Sequence, residues 1–538
     1  GDEWHGLLVL VDVAETRAVA ELPFSQLASS LRWLPDASGF YYTRYPAPGS
    51  VPKAEENYHR HVFLHRLGDD PAADAHVFGE GRPAEDWPDV ALSPDGRWLV
   101  VTEEQGWAKS EVFYRDRHDA AGGFRPLVEK VPALFDVVVR NDRFYVHTND
   151  GAPRYRLFRV DPTKPARRDW VEIIPQCDDV LDGVAAVGDT LVAQYMHRAA
   201  SRLELLDREG KPLREVKLPT LGSVAGLGAE WDGDEVLFGF QSFTVPPSIY
   251  RLDLKTRQSE LWQQVKADID FTAYEVEQVR YPSKDGTEIT MFLAHKRGLE
   301  MTGANPTLLY GYGGFNVSLT PAFSASRFLF LERGGLLAIP NLRGGGEYGE
   351  AWHEAGMFER KQNVFDDFLA AAEWLIARKY TDARHLGIQG GSNGGLLVGA
   401  ALTQRPDLFR VVVCQVPLLD MLRYHKFLIA RLWVPEYGSA DDPEQFKWLL
   451  AYSPYHHVKK GTAYPAVLLT AAESDTRVDA LHARKMAARL QAATSSGAPV
   501  LLRLETKAGH GAGKPRSKVL DELTDEWGFV FWQLGVRP

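Results

Sequence analysis

An all-β repeat domain followed by an α/β domain with a mostly parallel sheet is the fold that this 538-residue sequence predicts, on three observations. The chain exceeds the roughly 250 to 300 residues at which single domains usually stop growing, so two large domains are expected. Residues 30–262 read as strand after strand at a recurring spacing, with little helical periodicity. After about Asp270, short apolar strands alternate with helical patterns, the mark of an α/β architecture. The expected boundary therefore divides 1–269 from 270–538.

The chain opens on Gly1-Asp2-Glu3, with no Met and no charged-then-apolar leader, as expected of a sequence that begins partway into a longer one. Leu7 to Val13 and Val19 to Leu22 read as two strands, the outer half of a sheet whose beginning is absent. Next come Phe40-Tyr41-Tyr42, Trp98-Leu99-Val100-Val101, Phe144-Tyr145-Val146, Leu191-Val192-Ala193 and Val236-Leu237-Phe238. Each follows a turn rich in Asp, Asn and Gly, such as Pro94-Asp95-Gly96, which suits hairpins. The strand before each turn starts near 31, 90, 135, 184 and 227. A period of about 40 to 50 residues holding four strands is that of a β-propeller blade, and a pair of β-sandwiches is the runner-up. About five and a half blades are expected.

In the second half the expected strands begin with Thr307-Leu308-Leu309-Tyr310, Leu336-Leu337-Ala338-Ile339 and Leu386-Gly387-Ile388-Gln389. Val411-Val412-Val413, Ala466-Val467-Leu468-Leu469 and Val500-Leu501-Leu502 complete the set. Between them, Phe365, Phe368, Leu369, Ala372, Leu375 and Ile376 recur at three- and four-residue spacing, which predicts a helix over 363–378 with Asn363 as its N-cap.

Composition excludes several classes. With 45% hydrophobic residues, 14 Trp and 26 Phe the chain has ample mass for packed cores. A net charge of -11 without a Lys/Arg-rich run argues against nucleic acid or an anionic membrane surface as main partner. No apolar stretch approaches the roughly 18 residues of a membrane span. Cys177 and Cys414 lie far apart, and two separate buried thiols in a reducing compartment, the cytoplasm, are expected over a disulfide; a periplasmic or secreted location is the alternative.

The chemistry centres on Gly390-Gly391-Ser392-Asn393-Gly394-Gly395, which follows a strand and opens a helix, the context of a G-x-S-x-G nucleophile elbow. Ser392 is the candidate nucleophile. A phosphate-binding glycine turn is the rival reading, but no Walker Lys-Ser/Thr pair follows. A serine hydroxyl needs a base, and in α/β-hydrolases the chain order is Ser, acid, His. Asp475 follows the strand at 466–470, and His510 follows the strand at 500–504 within Lys507-Ala508-Gly509-His510-Gly511. Both lie past strand C-termini, where such sheets build sites. Asp475 then orients the imidazole, and His510 serves as general base and acid. The amide of Asn393 is one oxyanion donor; a second comes from Tyr310-Gly311-Tyr312-Gly313-Gly314-Phe315, by an amide or by the Tyr312 hydroxyl.

Two rival signals are present. Gly344-Gly345-Gly346-Glu347-Tyr348-Gly349 matches G-x-G-x-x-G, with Asp366 and Asp367 near the distance of a ribose contact, but no clear helix is expected at its last glycine. His59, His61, His65 and the His456-His457 pair lack a ligand set with Cys or carboxylates, so they read as surface or packing residues and metal binding is not expected.

Together, Tyr310 to Phe315 with Asn316, the run Asn341-Leu342-Arg343-Gly344-Gly345-Gly346-Glu347-Tyr348-Gly349, the elbow, and Lys507-Ala508-Gly509-His510-Gly511-Ala512-Gly513-Lys514-Pro515 resemble the prolyl oligopeptidase family of serine peptidases. The resemblance covers the whole α/β-hydrolase domain and, more loosely, the blades. It implies a triad of Ser392, Asp475 and His510, an oxyanion hole of Tyr312 with the Asn393 amide, a substrate-positioning Arg477, and a proline pocket at Phe315, Trp433, Tyr437 and Val478. An indole such as Trp433 can cover a pyrrolidine ring, and proline, lacking an N–H, asks for no buried acceptor. Thr476 stands where the family commonly has a second Asp.

The implied activity is hydrolysis after proline in short peptides through an acyl-enzyme, with no cofactor, by a monomer. The family propeller has seven blades and an N-terminal segment, so this chain is expected to lack its first part. The alternatives are a basic-specific oligopeptidase, for which Glu436 can lend acidity, a general esterase, and a catalytically silent propeller-hydrolase scaffold.

Overall fold

The computed structural model describes residues 8–12, 17–22, 27–511 and 514–537, with side chains from Ser30 onward. Leu8–Asp12 and Arg17–Leu22 form an antiparallel pair; the expected strand ends at Leu7 and Val13 lie outside the described residues.

Five four-stranded sheets follow, each with its strands in chain order. They begin at Leu27–Trp33, Trp87–Leu92, Phe135–Val139, Val180–Val187 and Ser223–Gly228. Such four-stranded meanders are the unit of a propeller blade. Local chemistry makes their turns. Gly96 takes φ 74°, a left-handed conformation open to glycine at little cost, while Asp95 Oδ1 accepts the Arg97 N–H at 3.0 Å. Alternate side chains point inward, so Trp98, Val100, Val112 and Tyr114 of one sheet pack on Phe144, Val146, Phe158 and Val160 of the next. Each such burial contributes about 1.5 to 3 kcal/mol.

By contact density the chain divides into two compact units, 1–186 with 207–211 and 187–206 with 212–538. The second unit holds the last sheet together with an eight-stranded mixed sheet. We number the strands of the mixed sheet β1 Tyr274–Pro282, β2 Glu288–Lys296, β3 Thr307–Tyr310, β4 Leu336–Pro340, β5 Leu386–Gly391, β6 Val411–Gln415, β7 Ala466–Ala472 and β8 Val500–Glu505. Their spatial order is β1-β2-β4-β3-β5-β6-β7-β8. The last six strands are mutually parallel, while β1 and β2 join antiparallel at one edge. All six parallel strands match the expected apolar runs; β1 and β2 were not foreseen.

Helices cover the sheet: α1 Gln362–Ala377, α2 Asn393–Gln404, α3 Leu481–Ala493 and α4 Arg516–Leu534. In one core, Trp527, Val530, Phe531 and Leu534 of α4 pack with Leu308, Val411, Val413 and Leu468 of the strands. Asn363 does not cap α1. The helix begins one residue earlier, and Asn363 Nδ2 donates backwards to Ala355 O at 2.9 Å. A second correction concerns the cysteines: Cys414 is a buried thiol as expected, but Cys177 is exposed.

In a parallel sheet the loops leaving strand C-termini share one edge, and β3 lies beside both β4 and β5, so the loops after β3, β5, β7 and β8 converge there.

Candidate active site

Between β5 and α2 the chain reverses at Ser392, held at φ 59° and ψ −115°. A non-glycine residue in this region stores strain of roughly 1 to 3 kcal/mol, sustained only where neighbours over-determine the turn. The glycines explain how. A Cβ on Gly390 would approach Gly394 O to 2.2 Å, and one on Gly394 would approach Gly311 O to 2.5 Å. The strand, the helix and the β3 loop therefore pack backbone against backbone. Ser392 N donates to Gln415 O at 2.9 Å, and Leu396 N donates to Ser392 O at 3.1 Å, pinning the elbow from both sides.

Asp475 leaves the end of β7. Its Oδ1 accepts the N–H groups of Arg477 at 2.8 Å and Val478 at 2.9 Å. Its Oδ2 lies 2.6 Å from Nδ1 of His510, beyond β8. With both oxygens engaged and its side chain only 1% exposed, the carboxylate has one orientation. A proton on His510 Nδ1 that donates to Asp475 leaves Nε2 as the acceptor, the tautomer a general base needs. Two further bonds hold these loops together, Ser474 N to Ala508 O at 3.2 Å and Glu473 N to Glu505 O at 2.8 Å.

The Tyr312 hydroxyl, on the loop after β3, lies on the side of Ser392, close enough for the serine side chain to ease its ionisation. Burial, reinforced by Glu436 and Tyr310 and opposed by Arg477, raises this phenol far above its ordinary value, so it stays an O–H donor. Arg477 itself is exposed. The Asn393 side chain is engaged at both ends: its Nδ2 donates to Tyr312 O at 2.6 Å, and its Oδ1 accepts from the Tyr437 hydroxyl at 2.7 Å.

Phe315, Trp433 and Tyr437 form an aromatic corner. The Phe315 ring stands edge-on to Tyr437 at 5.3 Å and to Trp433 at 6.5 Å between centroids. Val478 is buried on the Asp475 loop. Phe315 and Asn316 both have positive φ, 59° and 58°. Glu436 does not lend acidity to this corner. Its Oε1 accepts the Phe315 N–H at 2.9 Å and its Oε2 pairs with His353 Nε2 at 2.8 Å. Lys361 Nζ sits 3.6 Å from Oε1, and the carboxylate is 1% exposed. A carboxylate so neutralised presents no free charge to a ligand. His353 and Lys361, and the side chain of Asn393, escaped the sequence analysis; nothing in their local pattern marks them.

The glycine run at 344–349 also has a structural explanation. Arg343 beside it binds Asp367 through Nη2 at 2.6 Å and through its backbone N–H at 3.1 Å, and Ser283 Oγ donates to the same carboxylate at 2.5 Å. Asp367, fully buried and saturated, is not a ribose ligand. Contrary to expectation a helix does open at the last glycine: Gly349 caps Glu350–Glu354, which carries His353. The remaining histidines find ordinary partners: His59 meets Glu55 at 2.7 Å, His61 meets His76 at 3.0 Å, and His65 meets Asp74 at 2.8 Å. His456 meets Ser453 at 2.8 Å, and His457 meets Leu450 O at 2.7 Å. Among the described residues no three His, Cys, Asp or Glu side chains form a metal-binding group.

Comparison with known proteins adds a family context. A family model described as "Prolyl oligopeptidase family" matches residues 321–537, and one described as "Prolyl oligopeptidase, N-terminal beta-propeller domain" matches residues 1–265. The chain is 37% identical to a prolyl endopeptidase of Elizabethkingia miricola over 541 residues, covering 100% of this chain and 76% of that protein. It is 35% identical to a prolyl endopeptidase of Dictyostelium discoideum, over 97% of this chain and 73% of that one. A solved structure from a study of two prolyl endopeptidases superposes with a TM-score of 0.94 at 44% identity, covering 99% of this chain and 79% of that one. Prolyl oligopeptidase B from Galerina marginata, bound to a 25mer macrocyclization substrate, superposes with a TM-score of 0.91 at 29% identity, over 98% and 75% of the two chains.

Proposed function

The chain belongs to the prolyl oligopeptidase family, and from that premise we propose which of its residues perform the family's chemistry. The protein is a serine endopeptidase that hydrolyses the peptide bond on the C-terminal side of proline in short peptides. An N-terminal β-propeller and an α/β-hydrolase peptidase domain make up its fold, and we set their boundary between residues 269 and 270.

In our assignment, Ser392 Oγ attacks the carbonyl carbon of the proline residue while His510 Nε2 takes its proton. Asp475 holds the imidazole by Nδ1 and stabilises the imidazolium. The oxyanion receives hydrogen bonds from the Tyr312 hydroxyl and the Asn393 N–H. His510 then protonates the departing amine as the C–N bond breaks, leaving an acyl-serine. Water, deprotonated by His510, attacks that ester, and the proton returns to Ser392 as the acid leaves. Arg477 holds a substrate carbonyl, and Phe315, Trp433, Tyr437 and Val478 enclose the proline ring. The observation that carries the assignment is the strained Ser392 elbow facing the Tyr312 hydroxyl.

The basic-specific alternative has lost its support, because Glu436 is spent on Phe315, His353 and Lys361. Cleavage-site mapping on one peptide containing Pro, Lys and Leu tests the specificity: cuts after proline are expected, and cuts after Lys overturn the pocket. Labelling with a serine-directed phosphonate tests the nucleophile: label on Ser392 is expected, and an unlabelled, folded protein makes the chain a silent scaffold. Two free thiols fit a reducing compartment, so we place the enzyme in the cytoplasm; that it acts as a monomer is a separate proposal. Cell fractionation and light scattering check both points.

A further inference from the structure

Tyr312 and Phe315 stand three residues apart on a loop that belongs to no helix or strand. One is the proposed oxyanion donor and the other a proposed pocket wall, so the distance between them sets how far the scissile carbonyl sits from the ring that is recognised. Charged groups hold the loop between them. Lys361 Nζ donates to Gly313 O at 2.9 Å, and the Phe315 N–H donates to Glu436 Oε1 at 2.9 Å. Glu436 belongs to the short helix Val434–Tyr437, which begins beside Trp433. Its carboxylate therefore joins the Trp433–Tyr437 wall to the Phe315 wall.

We propose that Glu436, clamped between His353 and Lys361, is a positioning residue that sets the spacing between Tyr312 and Phe315 and thereby the preference for proline. The inference rests on the peptidase reading above. Both ring nitrogens of His353 face carboxylates, Nδ1 to Glu350 at 3.0 Å and Nε2 to Glu436 at 2.8 Å. A neutral imidazole has one N–H, so satisfying both acceptors calls for the imidazolium. Two cations and two carboxylates then balance in a site where His353, Lys361 and Glu436 are each no more than 1% exposed. The phenols of Tyr312, Tyr424, Tyr437 and Tyr452 lie near enough to feel the charge of Glu436, which helps to keep them protonated.

Burying four charges is a poor route to stability, since apolar side chains of the same volume often do as well. What a charged cluster does supply is fixed geometry. Phe315 occupies a left-handed conformation at φ 59° that its side chain disfavours, and the strong, directional bond from its N–H to a carboxylate holds it there.

The test compares kcat/KM on matched Gly-Pro and Gly-Ala anilides, per active site titrated with a phosphonate, in the full chain. Glu436→Asp keeps the charge but withdraws it by one methylene. We expect its Pro-to-Ala ratio to fall at least tenfold. Where that variant does not fold, the Glu436→Gln/Lys361→Met pair removes the carboxylate together with its burden of buried charge, and the same fall is expected. His353→Gln, which loosens the clamp but keeps the carboxylate, should give a smaller fall of roughly threefold. Equal losses on both substrates, or lower titres of active sites with an unchanged ratio, mark a merely structural role and overturn the proposal. Wild-type enzyme that shows no preference for proline would instead overturn the underlying reading.

Discussion

The Tyr437 hydroxyl donates to Asn393 Oδ1 at 2.7 Å while the same amide donates through Nδ2 to Tyr312 O at 2.6 Å, so one side chain joins the aromatic corner to the oxyanion loop. Tyr437→Phe keeps the ring but leaves Asn393 Oδ1 buried without a donor, a loss of about 1 to 3 kcal/mol. Urea denaturation should register that destabilisation, and kcat/KM on a post-proline substrate should fall about tenfold as Tyr312 loosens. A variant with wild-type stability would mean that the amide oxygen finds another donor.

Asp475→Asn should lower kcat by roughly three to four orders of magnitude, with little change in KM. The replacement preserves shape, and the amide oxygen can still accept the Arg477 and Val478 N–H groups that the carboxylate now binds. The NH2 then faces His510 Nδ1, favouring the tautomer with its proton on Nε2, where a base is needed. Steady-state kinetics with active-site titration checks this, and a loss under tenfold removes Asp475 from the triad.

Tyr312→Phe should cost about 100- to 1000-fold in kcat. Its hydroxyl is raised far from ionisation by burial and by Glu436, so in wild type it remains a donor across the working pH range. The deletion should therefore lower kcat by a constant factor across pH without moving the limbs of the profile. A displaced basic limb would show that the phenol titrates.

The legibility of this molecule follows the range over which each signal acts. The parallel strands were readable because strands buried on both faces are nearly continuous apolar runs, as residues 411–414 and 466–469 are. The antiparallel edge was not. Tyr274–Pro282 mixes Glu, Gln and Arg with its apolar residues, and Glu288–Lys296 contains Met, Leu and Ala, which suit a helix as well. Ser392 announced itself because the glycines that let it turn are adjacent in sequence. The pairing of His353 with Glu436 did not, because it spans 83 positions and only the folded chain brings the two together. Asn363 misled for a related reason: a side chain that can cap a helix can equally donate to Ala355 O across a turn.

The buried histidine also makes stability depend on pH with a definite sign. Burial alone would depress His353, but its hydrogen bonds to Glu350 and Glu436 outweigh that and push it up to about 9. The folded protein therefore binds a proton more tightly at this site than the unfolded chain, whose histidine titrates near 6.5. The resulting stabilisation is fully present below about pH 6.5 and is lost as pH rises through 9, on the order of 3 kcal/mol in all. Glu347 and Glu526, each pushed up to about 7 chiefly by burial, and Glu103, pushed up to about 8 by the same cause, weaken the fold in the same direction over lower ranges. A single wild-type curve cannot separate them, so the comparison must be with His353→Gln, which leaves those three carboxyls in place. Unfolding free energies from urea titrations at pH 6, 7, 8, 9 and 10 should give a wild-type advantage over the variant that shrinks steadily across the interval. A constant advantage would show that His353 is not protonated between its two carboxylates.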